Sequence, residues 1–303
     1  LTINNNQLQI TEHYKNLRIR ELLIDYNKNL WMATADEGVF MFHRNTLKSV
    51  YFPKTDKNNK PISCWGFCEI NNEMYVATPT GIIPVEQSNW ENNDVFNQTS
   101  TLICNDAITG SGFVLIGTRN NGIYRLKNKK SEQVFFNKKE QLDNIIIHFE
   151  KNDKGFLASS KWSMIQLDHQ GNFISQKFDD YDSLFSYTMN FYPFDGGMMN
   201  ARTTGVFLLD TSLNIIKKYK NADVQVVCMM RPFQNNWWGV SMDAGLIRID
   251  NDKLVKLPFP DKRLFTLTTW NDTNLWITGV KGVFRYTEGY VRPFTPQNGF
   301  PIK

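Results

Sequence analysis

Residues 29–34 read NLWMAT and residues 38–42 read GVFMF, and this phrase decides the fold because the chain repeats it. Residues 113–118 read FVLIGT before GIYRL at 122–126, and residues 274–278 read NLWIT before GVFRY at 282–286. Seven copies occur, with anchor positions 37 to 43 residues apart. The anchors are Gly38, Gly81, Gly122, Ser163, Gly205, Gly245 and Gly282. A sustained period of this length indicates a repeat architecture.

Each copy has room for four short strands and their turns, since strands average about five or six residues. The apolar residues alternate or form short runs rich in Val, Ile, Phe, Tyr and Trp, and no stretch sustains a helical period. Clusters such as Asn71-Asn72 and Asp195-Gly196-Gly197 are typical of tight hairpins. A four-stranded sheet buries neither face alone, so neighbouring sheets must pack around an axis. The sequence therefore predicts an all-β, seven-bladed β-propeller of four-stranded antiparallel blades.

The repeat predicts one propeller domain over residues 1–303. Its blades are expected at about 18–60, 61–98, 99–140, 141–182, 183–222, 223–261 and 262–303. Residues 1–17 are expected to be an N-terminal hairpin or closure segment. This hairpin is either a remnant of a preceding blade or a clasp that completes the last sheet. An eight-bladed ring that uses the hairpin is the alternative.

One position in every copy carries a bulky apolar side chain. Its occupants are Trp31, Tyr75, Leu115, Leu157, Met199, Trp238 and Trp276. A large apolar residue at one phase of the repeat is what blade-to-blade packing needs. We therefore expect these tryptophans in the core rather than against a ligand.

Composition and charge limit the functions that the chain can have. Hydrophobic residues make up 41% of the chain and the net charge is only +4, spread along the sequence, which argues against a nucleic-acid partner. No apolar run reaches the length of a membrane span.

Cys64 and Cys68 would be about 13 Å apart on one strand, too far for a disulfide. All four cysteines are expected to be free and buried, with a bridge between Cys68 and Cys104 as the alternative.

The pattern D-x-x-x-N-L-W-x-x-T followed by G-V-x-x-F, at residues 25–42, resembles the two-component-regulator propeller repeat. Residues 271–286 echo it, and FTPQNGFP at 294–301 is similar to the phrase that joins blades in that family. The repeat is familiar from periplasmic sensor regions of hybrid two-component histidine kinases in Bacteroidetes. The resemblance covers essentially the whole chain, although it is weaker in copy two and degenerate in copies four and five.

This resemblance implies a periplasmic ligand-sensing propeller of a signalling receptor, with a glycan fragment or other small polar ligand. It also implies a second propeller in the same parent protein, a homodimer, and membrane attachment only through parts outside this sequence. The chain contains no phospho-acceptor histidine box and no ATP-binding glycine pattern. We therefore expect the chain itself to be neither an enzyme nor a cofactor-binding protein.

The ligand face is expected where loops join second to third strands or lead into first strands, because variable loops on a fixed scaffold carry function. Candidates in the first set of loops are Asp36, Arg119, Trp162, Arg202, Asp243 and Lys281. Candidates in the second set are Trp65, Tyr187, Gln225 and Arg263. Aromatic faces combined with polar groups suit sugars. Each residue could equally be a solvated loop or interface residue.

Two other function classes remain open from the sequence. A propeller lyase or hydrolase would need converging catalytic groups, but of the four histidines only His148 falls on a first strand near the channel, and no metal-binding spacing occurs. Asp36 and Asp243 form the one carboxylate pair that can be nominated for a glycosidase, two blades apart. The other class is an interaction or dimerisation scaffold without a ligand. Burial of Trp65 and Trp162 in blade packing would favour the scaffold.

Overall fold

The computed structural model describes residues 2–4, 7–9, 19–25, 29–35, 38–43, 46–48, 62–85, 92–178, 188–271, 273–287 and 289–293. Seven antiparallel sheets follow one another along the chain, and their strands are hydrogen-bonded in sequence order. The first strand of each sheet lies beside the first strands of its two neighbours, and the seventh sheet meets the first. This arrangement is a seven-bladed β-propeller, as the sequence predicts.

The first three blades are built as follows. Blade one contains β3 (Ile19–Ile24), β4 (Leu30–Thr34), β5 (Val39–His43) and β6 (Thr46–Lys48). Blade two contains β7 (Gly66–Ile70), β8 (Glu73–Thr78) and β9 (Gly81–Pro84). Blade three contains β10 (Cys104–Thr109), β11 (Val114–Thr118), β12 (Ile123–Lys127) and β13 (Lys130–Phe135).

The remaining four blades each contain four strands. Blade four contains β14 (Ile146–Asn152), β15 (Gly155–Ser160), β16 (Ser163–Leu167) and β17 (Phe173–Phe178). Blade five contains β18 (Thr188–Phe194), β19 (Gly197–Arg202), β20 (Gly205–Leu209) and β21 (Ile215–Tyr219). Blade six contains β22 (Val227–Phe233), β23 (Asn236–Ser241), β24 (Gly245–Asp250) and β25 (Lys253–Lys256). Blade seven contains β26 (Leu264–Asn271), β27 (Asn274–Gly279), β28 (Gly282–Thr287) and β29 (Tyr290–Pro293).

A short helix, α1 (Asp94–Thr99), follows the third strand of blade two. The Asn93 side chain caps it by accepting hydrogen bonds from the backbone N–H groups of Val95 and Phe96. The Thr99 hydroxyl accepts a hydrogen bond from the Ile82 N–H at 2.9 Å and so ties the helix to β9. The sequence analysis predicts no helix, because six residues are too few to show a helical period.

The N-terminal hairpin pairs β1 (Thr2–Asn4) with β2 (Gln7–Gln9) as a separate two-stranded sheet. Blade seven takes all four of its strands from its own repeat, so the hypothesis that the hairpin completes the last sheet is wrong. The ring closes instead through apolar packing between blades seven and one. The buried residues of this contact are Ile19, Leu22, Leu30, Met32, Trp276 and Val283.

The bulky residue at the repeated phase is in the core of every blade, as predicted. Trp31 and Trp238 are 2% exposed and Trp276 is 3% exposed. The residues at this phase in the other blades are also buried, namely Tyr75, Leu115, Leu157 and Met199. Each helps to fill the space between one sheet and the next, so these aromatic rings are unavailable to a ligand.

All four cysteines are free and buried, which confirms the expected state. Cys68 and Cys104 pack in the same core cluster between blades two and three without forming the alternative disulfide. Burial raises the pKa of both thiols well above its ordinary value. Neutral thiols of this kind behave as small apolar side chains.

The aspartate that opens the repeat phrase holds together the first hairpin of blade one. Asp25 accepts hydrogen bonds at 2.8 Å from the backbone N–H and the side-chain amide of Asn29. Its Oδ2 also accepts the indole N–H of Trp31 at 2.8 Å. The spacing D-x-x-x-N-x-W therefore joins a turn to a core residue.

We expect Asp25→Ala to lower the free energy of unfolding by about 2 kcal/mol, because it leaves the buried Trp31 N–H without its acceptor. Urea unfolding followed by tryptophan fluorescence measures the change. Asp153→Ala, at the equivalent hairpin of blade four where the side chain is exposed, is the control. Equal midpoints for the two variants would show that the hydrogen bonds of Asp25 contribute nothing to stability.

The fourth copy departs from the repeat at its anchor position, where a serine replaces the glycine and contacts a buried carboxylate. Asp143 is fully buried. The hydroxyls of Ser160 and Ser163 lie 3.1 and 3.0 Å from its Oδ1. Asn137 and Gln176 donate their amide N–H groups to its Oδ2 at 2.9 and 2.8 Å. Ser163, which takes the place of the anchor glycine, is therefore a partner of Asp143.

Candidate functional site

The innermost strands share an irregularity at the end where each strand begins. In six blades one residue is bulged out of the pairing between the first and second strands. In blade one, for example, Ile19 pairs with Thr34 and Glu21 pairs with Ala33, so Arg20 is the extra residue. A bulge re-aims side chains. Its recurrence at one phase directs a set of side chains from each blade toward the axis of the ring.

Two rings of residues result. The mouth ring contains the bulged residues and the equivalent residue of blade two: Arg20, Trp65, Asn105, Ile147, Met189, Cys228 and Phe265. The inner ring contains the next residue of each strand: Glu21, Gly66, Asp106, His148, Asn190, Met229 and Thr266. The mouth ring is largely apolar or aromatic, whereas the inner ring is largely polar.

These two rings enclose a cavity of about 400 Å³ at one end of the central channel. Every member of both rings except Gly66 lines the cavity. Arg231 and Thr268 extend the lining deeper, and Met242 adds to the mouth. A concave pocket of this volume with an apolar entrance and a few converging polar groups has the features of a small-molecule site.

A chain of ion pairs and hydrogen bonds crosses the bottom of the cavity. His148 Nδ1 lies 3.2 Å from Asp106 Oδ2, and His148 Nε2 lies 3.3 Å from Glu150 Oε1. Arg231 donates to the same Glu150 oxygen at 2.8 Å and to Asn190 Oδ1 at 2.7 Å. The network joins blades three, four, five and six, so it fixes these side chains relative to one another.

The network favours the charged forms of His148 and Glu150. Burial disfavours the charged imidazole, but the hydrogen bonds to Asp106 and Glu150 outweigh that cost and raise the pKa of His148 to about 9. Burial likewise opposes the charge on Glu150. The Arg231 guanidinium and His148 overcome it and hold the pKa of Glu150 below its ordinary value.

Glu21 behaves differently although it lies in the same ring. Burial, followed by the nearby carboxylate of Asp106, raises its pKa well above the ordinary glutamate value. In the described part of the chain, its carboxyl group makes neither a hydrogen bond nor an ion pair. Glu21 is therefore the ionisable group in the cavity that the surrounding protein leaves unmatched.

The structure brings one of the ten sequence-predicted site residues to the cavity, Trp65, which is half-buried in the mouth ring. The Arg119 guanidinium lies 5.8 Å from the centre of the Trp65 ring, so these two predicted residues are neighbours. Trp162 is half-buried and does not line the cavity. Asp36 and Tyr187 lie outside the described residues.

Arg202 is not on the exposed face at all. It is 0% exposed, its Nε donates to Asn200 Oδ1 at 2.9 Å, and its guanidinium lies 5.0 Å from the ring centre of Phe207. In blade five it occupies the end of the second strand, where Thr34 and Ser241 stand in blades one and six. That position is buried in each of these blades, so the sequence-based placement on a loop was wrong.

The other four predicted residues are exposed, and two of them help to hold loops in place. Asp243 accepts hydrogen bonds from the backbone N–H groups of Gln225 and Val226 at 3.0 and 3.1 Å. Burial opposes its charge, but these bonds and the Ser241 hydroxyl lower the pKa of Asp243. The Lys281 ammonium donates to the Pro260 carbonyl at 3.0 Å. Arg263 and Gln225 are exposed at loops leading into first strands.

Sequence reasoning overlooked most of the cavity. It placed His148 on a first strand near the channel, where the structure also has it, but did not nominate Glu21, Asp106 or Arg231. A signal was available in the repeat. Aligning the seven first strands at this phase puts polar residues of five blades at the inner-ring position, where an all-apolar core strand would have none.

Among the described residues, no group of three or more histidine, cysteine, aspartate or glutamate side chains is arranged to hold a metal ion. No helix in the described ranges is long and apolar enough to cross a membrane.

The molecule is thus a seven-bladed propeller with a polar cavity at the mouth of its channel. No protein-family model matches the chain, and no curated protein matches it in sequence. Among solved structures it is similar to the extracellular domain of BT4673 from B. thetaiotaomicron, described as a one-component or hybrid two-component system. The TM-score is 0.68 at 14% identity, over 91% of this chain and 40% of that chain.

Two further solved structures share this fold. The extracellular domain of the B. thetaiotaomicron hybrid two-component system BT3049 matches with a TM-score of 0.56 at 15% identity, over 93% of this chain and 41% of that one. A streptogramin B lyase matches with a TM-score of 0.66 at 10% identity, over 89% of this chain and 93% of the lyase. The chain spans about two fifths of the length of the signalling domains, and at these identities the matches establish the fold.

Proposed function

We propose that this chain is an extracytoplasmic sensor propeller of a two-component-type receptor, and that it binds a small saccharide at the mouth of its central channel. The repeat phrase and the similarity to the two B. thetaiotaomicron extracellular domains support the sensor role and its location outside the cytoplasm. The observation that carries the proposal is the cavity itself. It combines aromatic side chains at its entrance with fixed polar groups below them.

This combination suits a sugar because a pyranose ring has apolar C–H faces and a polar edge that carries its hydroxyl groups. The C–H face of the ring packs on aromatic groups, here Trp65 and Phe265, while hydroxyl groups at the edge bond to polar side chains. Asn105 and Asn190 also line the cavity and can both donate and accept. The network of His148 and Arg231 keeps the floor rigid, which lowers the cost of ordering it on binding.

A thermal-shift screen with mono- and disaccharides tests this proposal. A ligand at 100 times its dissociation constant should add about 2.7 kcal/mol of stability. We expect Trp65→Ala to weaken the binding of any hit about tenfold or more, whereas Trp162→Ala leaves it unchanged. Loss of binding in Trp162→Ala but not in Trp65→Ala would move the site from the cavity to the outer loops.

A second candidate function, an interaction scaffold, has one specific observation in its favour. Phe173, Ile174 and Phe178 on β17, the outermost strand of blade four, are 45%, 52% and 50% exposed. Exposed apolar side chains on the outermost strand suit contact with another protein surface, such as a second propeller or another copy of the chain. Absence of any saccharide response in a folded protein would favour this function over sensing.

A further inference from the structure

The inner ring has one position without a side chain, Gly66 in blade two. Its neighbours in the ring are Glu21 of blade one and Asp106 of blade three, and both carboxyl groups reach into the space above it. A Cβ atom on Gly66 would lie 2.7 Å from Asp106 Oδ1 and 3.1 Å from Glu21 Oε2. The missing side chain therefore allows two acidic groups to approach each other at the edge of the cavity.

The cations of the cavity floor are already engaged. The imidazole of His148 is placed between Asp106 and Glu150, and the Arg231 guanidinium is shared between Glu150 and Asn190. Asp106 also accepts backbone N–H groups of neighbouring residues. Glu21 has no such partner among the described residues, so its carboxyl group faces the cavity without a hydrogen bond or ion pair. The other cation of the lining, Arg20, belongs to the mouth ring.

The residue next to the gap is aromatic. Trp65 immediately precedes Gly66 and lies in the mouth ring, with Phe265 in the same ring. The Arg119 guanidinium is 5.8 Å from the Trp65 ring centre, which shows that the ring can be approached by a cation. Carboxyl groups beside aromatic faces in a partly desolvated cavity form a site with a preference for positive charge.

We infer that the ligand of this cavity carries a protonated amine, and that its ammonium group lies in the cavity between the carboxyl groups of Glu21 and Asp106. The rest of the ligand then lies in the mouth ring against Trp65. The inference rests on the proposed function and makes it more specific, because the saccharide it selects is an amino sugar rather than a neutral or N-acetylated one.

Binding of such a ligand is linked to proton release. The pKa of Glu21 is raised by burial and by Asp106, so its carboxyl group holds a proton in the empty cavity over part of the pH range above its ordinary value. An arriving ammonium favours the carboxylate, so the carboxyl O–H bond breaks and its proton passes to water or buffer; no other bond changes. The charged groups that act on Glu21 are Asp106, His148, Glu150 and Arg231. Affinity should therefore rise by up to about tenfold per pH unit until Glu21 is ionised or the ligand amine loses its proton.

Isothermal titration calorimetry with three matched disaccharides tests the inference. The glucosamine dimer, its diacetylated form and cellobiose share the same β1–4 linkage and differ only at C2. At mildly acidic pH, where the sugar amine is protonated, we expect the glucosamine dimer to bind at least about tenfold more tightly than the other two. Titrations in buffers of different ionisation enthalpy should detect a released proton for this ligand alone. Spermidine is included as an amine without a sugar ring.

Two variants locate the effect. Glu21→Gln removes the titrating group, so it should abolish both the preference for the amine and the proton release. Gly66→Ala adds a Cβ atom that would lie 2.7 Å from Asp106 Oδ1, so it displaces one of the two carboxyl groups and should weaken amine binding by about tenfold or more. Glu132→Gln, on the outer strand β13 and exposed, is the control and should behave as the wild type. Circular dichroism of each variant confirms that it is folded.

The outcomes separate the two proposals. Equal binding of all three disaccharides, unaffected by Glu21→Gln but lost in Trp65→Ala, would overturn the amine inference and leave the saccharide sensor standing. Binding of spermidine without any disaccharide would support the amine site and overturn the saccharide. Failure of every probe to bind the folded protein would overturn both.

Discussion

Asp143→Ala is expected to lower the free energy of unfolding by about 3–5 kcal/mol, the largest effect we predict for a single substitution, because it breaks a buried hydrogen-bond network. The carboxylate is fully buried, and it is the shared acceptor for Ser160, Ser163, Asn137 and Gln176. Removing it takes an acceptor from two buried hydroxyls and two half-buried amides, and each buried donor left unsatisfied costs about 1–3 kcal/mol before the structure relaxes. The damage falls on the one blade whose anchor glycine is replaced.

Equilibrium unfolding in urea measures this effect, with Asp223→Ala as a control at an exposed aspartate. Asp143→Asn is informative as well, because it keeps the shape but replaces one acceptor oxygen with a donor; its loss should lie between those of the control and the alanine variant. A loss below about 1 kcal/mol for Asp143→Ala would show that water or side-chain rearrangement satisfies the donors, and that the network is not needed for folding.

Stability should fall as pH rises through about 9, because the pKa of His148 is about 9 in the folded protein and about 6.5 in an unfolded chain. A group whose pKa is raised by folding stabilises fully below its unfolded value and loses that contribution above its folded value. The shift corresponds to about 3 kcal/mol, present near pH 6 and lost by about pH 10. The raised pKa of Glu21 acts in the same direction at lower pH, since ionising this buried carboxyl also costs stability.

The measurement is the difference in free energy of unfolding between wild type and His148→Gln across this pH range. Taking the difference cancels the titration of lysine and tyrosine elsewhere in the chain. His169→Gln, at an exposed histidine, should follow the wild type at every pH. A difference between wild type and His148→Gln that does not change with pH would mean that the imidazole is not charged in the folded protein, and the network would have to be reinterpreted.

The fold could be derived from the sequence because its information is repeated. Seven copies at one period fix the number of blades, and a single phase in each copy identifies the core residues that include Trp31 and Trp238. Turn positions follow from residue type. Asn71 and Asn72 have φ values of 52° and 65°, in the left-handed region that asparagine tolerates. These inferences are local, so they do not depend on how one blade faces another.

The candidate site could not be derived in this way, because it exists only between blades. Glu21, Asp106 and Arg231 lie far apart in sequence, and they line one cavity because each lies on an innermost strand whose bulge falls at the same phase of the repeat. Sequence reasoning assigned ligand contacts to the loops above the ring, which is where side-chain chemistry varies most visibly. One residue along the chain separates the buried end of a second strand from the exposed loop that follows it. Arg202 was misplaced because the sequence-based strand boundary was off by that one residue.

The inner ring has a consequence for how proteins of this shape diverge. Each of its seven positions belongs to a different repeat, and of the seven residues Met229 is the one that packs against an apolar cluster between sheets. Substitutions at distant ring positions are therefore expected to act additively, so that a new ligand can be selected by single changes without insertions or altered loops. Adjacent positions are different. Because Glu21 and Asp106 share the space left by Gly66, these three are expected to change together, and their joint identity in related chains would report which ligand each receptor has come to recognise.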